Sequence, residues 1–199
     1  MNQEIHSFSN ILSLSIQTSI MKALMIIFIC LSPFKILAQN LKENNTEFPA
    51  LKGNPNQLFY LQRTKNTNTI IYELNKKNGL LDSKNPIHVF WILFASNEEC
   101  QELSSIEKKF AYGITVTSIG NGEYQFTLVA YPKIILYLKK DSDQNYHVYL
   151  TLSGKLMMLQ RTFIKEKEGG FSLSPTVEYI DFFGIDVVNG KEIYERILM

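Results

Sequence analysis

Between Tyr146 and Leu152 the chain alternates, with Tyr146, Val148, Leu150 and Leu152 at even positions and His147, Tyr149 and Thr151 between them. A period of two sends the two sets to opposite faces of an extended backbone, so this segment is a half-buried strand. The same kind of run, rich in Ile, Val, Tyr and Phe, recurs from Leu58 onward. Leu58–Thr64 and Thr69–Leu74 form one expected hairpin. Ile114–Ile119 and Glu123–Ala130 flank Gly120-Asn121-Gly122, where Asn-Gly supplies the positive φ angles of a tight turn. Ser153-Gly154 turns the Tyr146 strand into Lys155–Lys165, and Asn189-Gly190 joins Ile185–Val188 to Glu192–Leu198. The count reaches nine or ten strands.

One segment breaks the pattern. Asn97 is placed to cap a helix whose first turn holds Glu98 and Glu99, acidic groups that suit the positive end of the helix dipole. Cys100, Leu103, Ile106 and Phe110 then share a face, and Gly113 ends the helix. The strand before it, Ile87–Phe94, is apolar on both faces except at His88, so it needs a second covering layer. The expected fold is mainly β: an antiparallel barrel or strongly curled sheet with one packed helix, lipocalin-like by analogy.

The N-terminus reads as an address. Lys22 precedes the apolar run Ala23–Leu31, which is short for a bilayer span, Pro33 breaks it, and Ala38 is the small residue a signal peptidase needs. Residues 1–38 are therefore expected to be an over-extended start plus a signal peptide, 39–56 a flexible lead-in and 57–199 one β-rich domain. Export to the periplasm or beyond follows, with no membrane span after the signal is removed. Ile29 stands where a lipidation signal at Cys30 needs a small residue.

Charge excludes some partners. Twenty basic and nineteen acidic residues leave a net charge of +1, which sets up no field for nucleic acid. Removing 1–38 takes Lys22, Lys35 and Glu4, leaving a formally neutral chain whose single thiol, Cys100, has no disulfide partner.

Several segments form an ordered set: Leu58-Phe59-Tyr60-Leu61-Gln62-Arg63, the run Asn66–Asn75, Asn85-Pro86-Ile87-His88-Val89-Phe90-Trp91, then Glu107 and Ala111-Tyr112-Gly113. This set resembles the secreted bacterial family called domain of unknown function 4833, over roughly residues 55 to 197. The resemblance implies one intact domain and brings no catalytic residue with it.

The chain carries no metal-ligand spacing, phosphate loop, nucleophile elbow or cofactor motif. No catalytic residue, metal ligand or cofactor is therefore assigned, and an enzyme is the less favoured class. Cys100 is the best nucleophile the chain offers, with His88 or His147 as its base, which makes a Cys-dependent hydrolase the third hypothesis. The plainer expectation is that Cys100 packs beside Leu103 and reacts slowly.

Binding is the leading hypothesis. Leu58–Thr64 and Leu156–Thr162 share Leu-x-x-Leu-Gln-Arg-Thr, so Phe59, Leu61 and Arg63 fall on one face, as do Met157, Leu159, Arg161 and Phe163. Where these strands converge, Arg63, Arg161 and Arg196 would present guanidinium forks to an anion. The competing use is pairing with Glu73, Glu178, Glu195 or similar carboxylates. Tyr60, Tyr72, Trp91 and Tyr112 are the candidate apolar lining. The expected ligand is small, partly apolar and, where the arginines reach it, anionic. The alternative is an envelope interaction module whose partner is a protein docked on a sheet edge or loop.

Overall fold

The computed structural model describes residues 53–64, 66–167 and 176–199, all within one unit, Pro49–Met199. The leader, Gln39, Cys30 and nearly all of the lead-in lie outside the described residues. The strands are β1 (Gln57–Arg63), β2 (Asn66–Leu74), β3 (Lys76–Lys77), β4 (Leu80–Leu81), β5 (Ile87–Leu93) and β6 (Glu99–Glu102). After helix α1 (Ser105–Phe110) come β7 (Ile114–Gly120), β8 (Glu123–Leu128), β9 (Tyr131–Lys140) and β10 (Tyr146–Leu152). The last three are β11 (Lys155–Glu166), β12 (Val177–Asp186) and β13 (Glu192–Leu198).

Eleven strands form one sheet, and β3 pairs with β4 apart from it. Nine of them, in the order β6-β5-β2-β1-β11-β10-β9-β8-β7, curl through 236° as a half-barrel. The expected mainly β, strongly curled sheet is thus present. Neighbours are antiparallel, with one exception that consecutive hairpins did not suggest: β1 runs parallel to β11.

Strand β11 organises the curl. Its first residues, Lys155–Met158, pair with β10, and Arg161–Ile164 pair with β1. β12 follows β11 from Met157 to Glu166, so β10 and β1 must share the other edge of β11. Two strands leaving one edge in succession splay into separate walls.

Side-chain alternation fills the space between the walls. Ile70, Tyr72 and Leu74 from β2, Leu136 and Leu138 from β9, and Val148 and Leu150 from β10 all enter one apolar cluster. Phe59 joins the walls: its ring stacks on Tyr72 at 4.3 Å and lies 6.5 Å from Phe126 on β8. Tight turns connect neighbouring strands. Asn121 and Gly122 have φ of 53° and 73°, and Ser153 and Gly154 have 51° and 77°, the paired positive values that match hairpin twist. Gly184 serves a different purpose, since a Cβ there would stand 2.2 Å from the Met158 carbonyl oxygen.

The helix differs from the expected one. Asn97 and Glu98 have φ of 56° and 61°, a left-handed pair that cannot start a right-handed helix. Asn97 instead ends a single 3-10 turn, Phe94–Ser96. Glu99–Glu102 takes the open edge of β5, with Cys100 opposite Ile92. The helix begins only where Ser104 and Glu107 form a reciprocal capping box. None of its residues is buried, and Ile106 and Phe110 face solvent. Cys100 is exposed too, so its expected burial beside Leu103 is overturned. The helix is tied to β5 by Glu107, which accepts a 3.1 Å hydrogen bond from the Trp91 indole.

Candidate functional site

One irregularity decides where the site residues point. Leu159 lies opposite Gly184 and Arg161 opposite Phe183, so Gln160 is an extra residue in β11. A bulge of one residue inverts the alternation beyond it. Met157 and Leu159 enter the core before the bulge, and Thr162 and Ile164 line the interior after it. The expectation that Arg161 continues the Met157–Leu159 face is therefore corrected. Parallel register completes the separation, pairing Tyr60 with Arg161 and Arg63 with Ile164. Arg63 and Arg161 lie on opposite faces of the sheet and share no cavity.

The seven candidate residues accordingly form two groups. Arg63, Tyr72, Trp91 and Tyr112 stand at the interior. A cavity of about 80 Å³ there is lined by Leu61, Tyr72, Tyr112, Thr162, Ile164 and Phe182, among other mostly apolar residues. The Tyr72 hydroxyl donates to the Tyr112 carbonyl at 3.0 Å, and burial pushes its ionisation far up. Thr162 is 1% exposed, and its hydroxyl has no hydrogen-bond partner among the described residues. Nothing in the sequence marked Thr162 beyond its place after Arg161 in the repeated motif.

Arg63 and Trp91 do not line the cavity, but Arg63 borders Tyr112, which does: its guanidinium lies 5.7 Å from the Tyr112 ring and 5.8 Å from Trp91. Its ion-pair partner is Glu166, at 3.5 Å, a carboxylate other than the Glu73, Glu178 and Glu195 named as candidates. Glu107 adds a second negative charge nearby. Burial works against that charge, but hydrogen bonds from Ser104 and Trp91 and the field of Arg63 hold the carboxyl below its ordinary range. Burial, together with Glu166 and Glu107, raises Tyr112 against the opposing pull of Arg63. Beside Tyr112, therefore, Arg63 faces two carboxylates, Glu166 and Glu107.

Tyr60, Arg161 and Arg196 occupy the outer face. Arg196 forks onto Asp181 at 2.7 and 2.9 Å, lies 3.6 Å from the centre of the Tyr179 ring, and is raised by that carboxylate. Tyr194 donates to the same Asp181 at 2.9 Å and is pushed up to about 12, by burial first and then by the carboxylate. Arg161 is different. It lies 3.9 Å from the centre of the Phe183 ring and has no carboxylate partner among the described residues.

His88 is engaged elsewhere. Its Nδ1 lies 3.0 Å from Glu73 and its Nε2 2.5 Å from Glu102, which also accepts from Lys108 at 3.3 Å. Burial disfavours the charged ring, but the two carboxylates outweigh it and raise its pKa. A folded-state value above the ordinary value of about 6.5 means this contribution is complete below 6.5 and fades as pH rises through the folded value. The thermal-stability advantage of wild type over His88→Gln should accordingly shrink between about pH 5.5 and pH 8.5. An advantage constant across that range would show that His88 stays neutral.

Among the described residues no His, Cys, Asp or Glu group could hold a metal ion, and no helix is long and apolar enough to cross a membrane. His88 and His147, the bases considered for Cys100, bond instead to Glu73 and Glu102 and to Asp141.

These features define a β half-barrel domain with a small apolar interior cavity and, on its outer face, an arginine stacked on an aromatic ring. The family model described as Domain of unknown function (DUF4833) matches residues 59–196, and the chain belongs to that family. No curated protein and no solved structure matches it.

Proposed function

We propose that the domain is a non-enzymatic binding protein that takes a small apolar ligand, or the apolar end of a larger one, into the half-barrel. The Thr162 hydroxyl carries this reading, because it is buried in an apolar wall without a hydrogen-bond partner among the described residues. An unsatisfied buried polar group costs about 1–3 kcal/mol, a cost that a ligand carbonyl or hydroxyl would offset. Size limits what enters. Small-molecule sites usually hold about 300–1,000 Å³, and an apolar cavity near 150 Å³ holds benzene. At about 80 Å³ the interior admits one end of a molecule, with the remainder at the rim. The charges beside Tyr112, Arg63 against Glu107 and Glu166, favour an uncharged ligand here over an anionic one.

Thr162→Val tests the reading, since it keeps the shape and removes the hydroxyl. The variant should unfold at an equal or higher temperature, a gain of up to about 1 kcal/mol, because an unpaired polar group has gone. It should also bind 2-hexanone roughly threefold to tenfold more weakly than wild type, followed by NMR at the Ile164 and Ile180 methyls. Clear destabilisation of Thr162→Val, or unmoved wild-type methyls at saturating ketone, would overturn the proposal.

A further inference from the structure

The outer face holds a site of different chemistry. Register aligns Tyr60, Arg161, Phe183 and Tyr194 in one row across β1, β11, β12 and β13. They border an open cleft of about 420 Å³, completed by Gln160 and Glu192 among others, within the usual size of a small-molecule site. The chain has three arginines, and two are neutralised, Arg63 by Glu166 and Arg196 by a two-point contact with Asp181. Among the described residues Arg161 alone has no carboxylate partner. One face of its guanidinium is covered by Phe183 at 3.9 Å, and the Phe183 and Tyr194 rings meet at 5.1 Å. Stacking fixes the plane of the fork while leaving its N–H edge free, the arrangement suited to two-point recognition of a carboxylate.

We propose that this cleft binds a monoanionic carboxylate carried on a flat apolar body. The carboxylate meets the N–H edge of Arg161, beside the Gln160 that the bulge brings to the cleft. The body lies against Tyr60 and Tyr194. Glu192 borders the same cleft and sets the charge limit, since a dianion such as phosphate meets repulsion that a single carboxylate can avoid. The bulge is what creates the site. Without the extra residue Arg161 would point into the core, where an unpaired cation is far costlier.

Benzoate is the probe, measured by titration calorimetry and by NMR shifts at Gln160 and Arg161. Wild type should bind it with a Kd of about 1 mM or tighter. Uncharged benzamide should bind at least about tenfold more weakly, and inorganic phosphate more weakly than benzoate. Arg161→Gln and Arg161→Lys should each lose about tenfold or more while unfolding within a few degrees of wild type, because Arg161 forms no ion pair among the described residues and only its stacking on Phe183 is altered. Glu192→Gln should bind benzoate severalfold more tightly. Benzoate binding unchanged in Arg161→Gln, benzamide binding as well as benzoate, phosphate binding better than either, or no benzoate binding by wild type would each overturn the assignment. The ketone titration of Thr162→Val reads the other side of the sheet, so either proposal can fail while the other stands.

Discussion

Phe59→Ala should lower the unfolding free energy by about 3–5 kcal/mol, the range for removing a fully buried aromatic ring. Phe59 is 0% exposed and is the contact between the two walls, stacked on Tyr72 and within reach of Phe126. Both neighbours are themselves almost completely buried, so the surroundings can collapse only partly and most of the void persists. Phe59→Leu restores part of the volume and should cost less. Ile106→Ala is the control. Ile106 is 72% exposed, and its loss should fall within about 0.5 kcal/mol of wild type. Urea unfolding followed by far-UV circular dichroism measures all three. A Phe59→Ala effect as small as that of Ile106→Ala would show that the walls do not pack through this ring.

Strands with a clean period of two were legible because one of their faces is dry. Tyr146–Leu152 could be read to the residue, since Val148 and Leu150 are fully buried and the residues between them are not. Turns were legible where a left-handed pair falls on Asn-Gly or Ser-Gly. Residues 94–104 were misread because composition there favours two structures. Cys100, Leu103, Ile106 and Phe110 satisfy a helical period behind the acidic pair Glu98 and Glu99, yet β5 offers an unpaired edge, and pairing Glu99–Glu102 with it satisfies backbone groups that a short exposed helix would leave to water. The Ser104-x-x-Glu107 capping box is the local signal for the true helix start. Strand β12 begins at Val177, well before the expected Ile185, because its buried residues Tyr179–Phe182 are consecutive rather than alternating.

The candidate site was half legible for a related reason. Aromatic and arginine residues at strand positions could be chosen from sequence, and all seven sit at the interior or in the outer cluster. Which faces Arg63 and Arg161 take depends on one bulge and one parallel pairing, and both are set by partners far away in the chain. Met157–Phe163 reads as an unbroken alternation, with no Gly or Pro to flag the extra residue. The displacement arises opposite Gly184, where the β12 backbone comes so close to Met158 that a side chain is excluded. Thr162 became notable only once both of its neighbouring walls were in place.

Arg196→Met should cost about 1–3 kcal/mol, more than an exposed ion pair contributes and less than the loss of a fully buried one. Methionine keeps an apolar stem over Tyr179 and removes only the charge and its two hydrogen bonds to Asp181. The asymmetry of the pair sets the size of the effect. Side-chain exposure is 40% for Arg196 and 6% for Asp181, so the carboxylate, left among the described residues with the Tyr194 hydroxyl, suffers most from the loss. A second change identifies the cause. If the cost is an uncompensated buried charge, Asp181→Asn in the Arg196→Met background should recover part of it, and the two changes should couple by about 1 kcal/mol or more in a double-mutant cycle. The exposed pair Lys155–Glu195 should give a coupling below about 1 kcal/mol that weakens with salt. Equal couplings at the two pairs would mean that Asp181 is as well solvated as Glu195, and that the β12–β13 hairpin is held by its backbone ladder and apolar contacts alone.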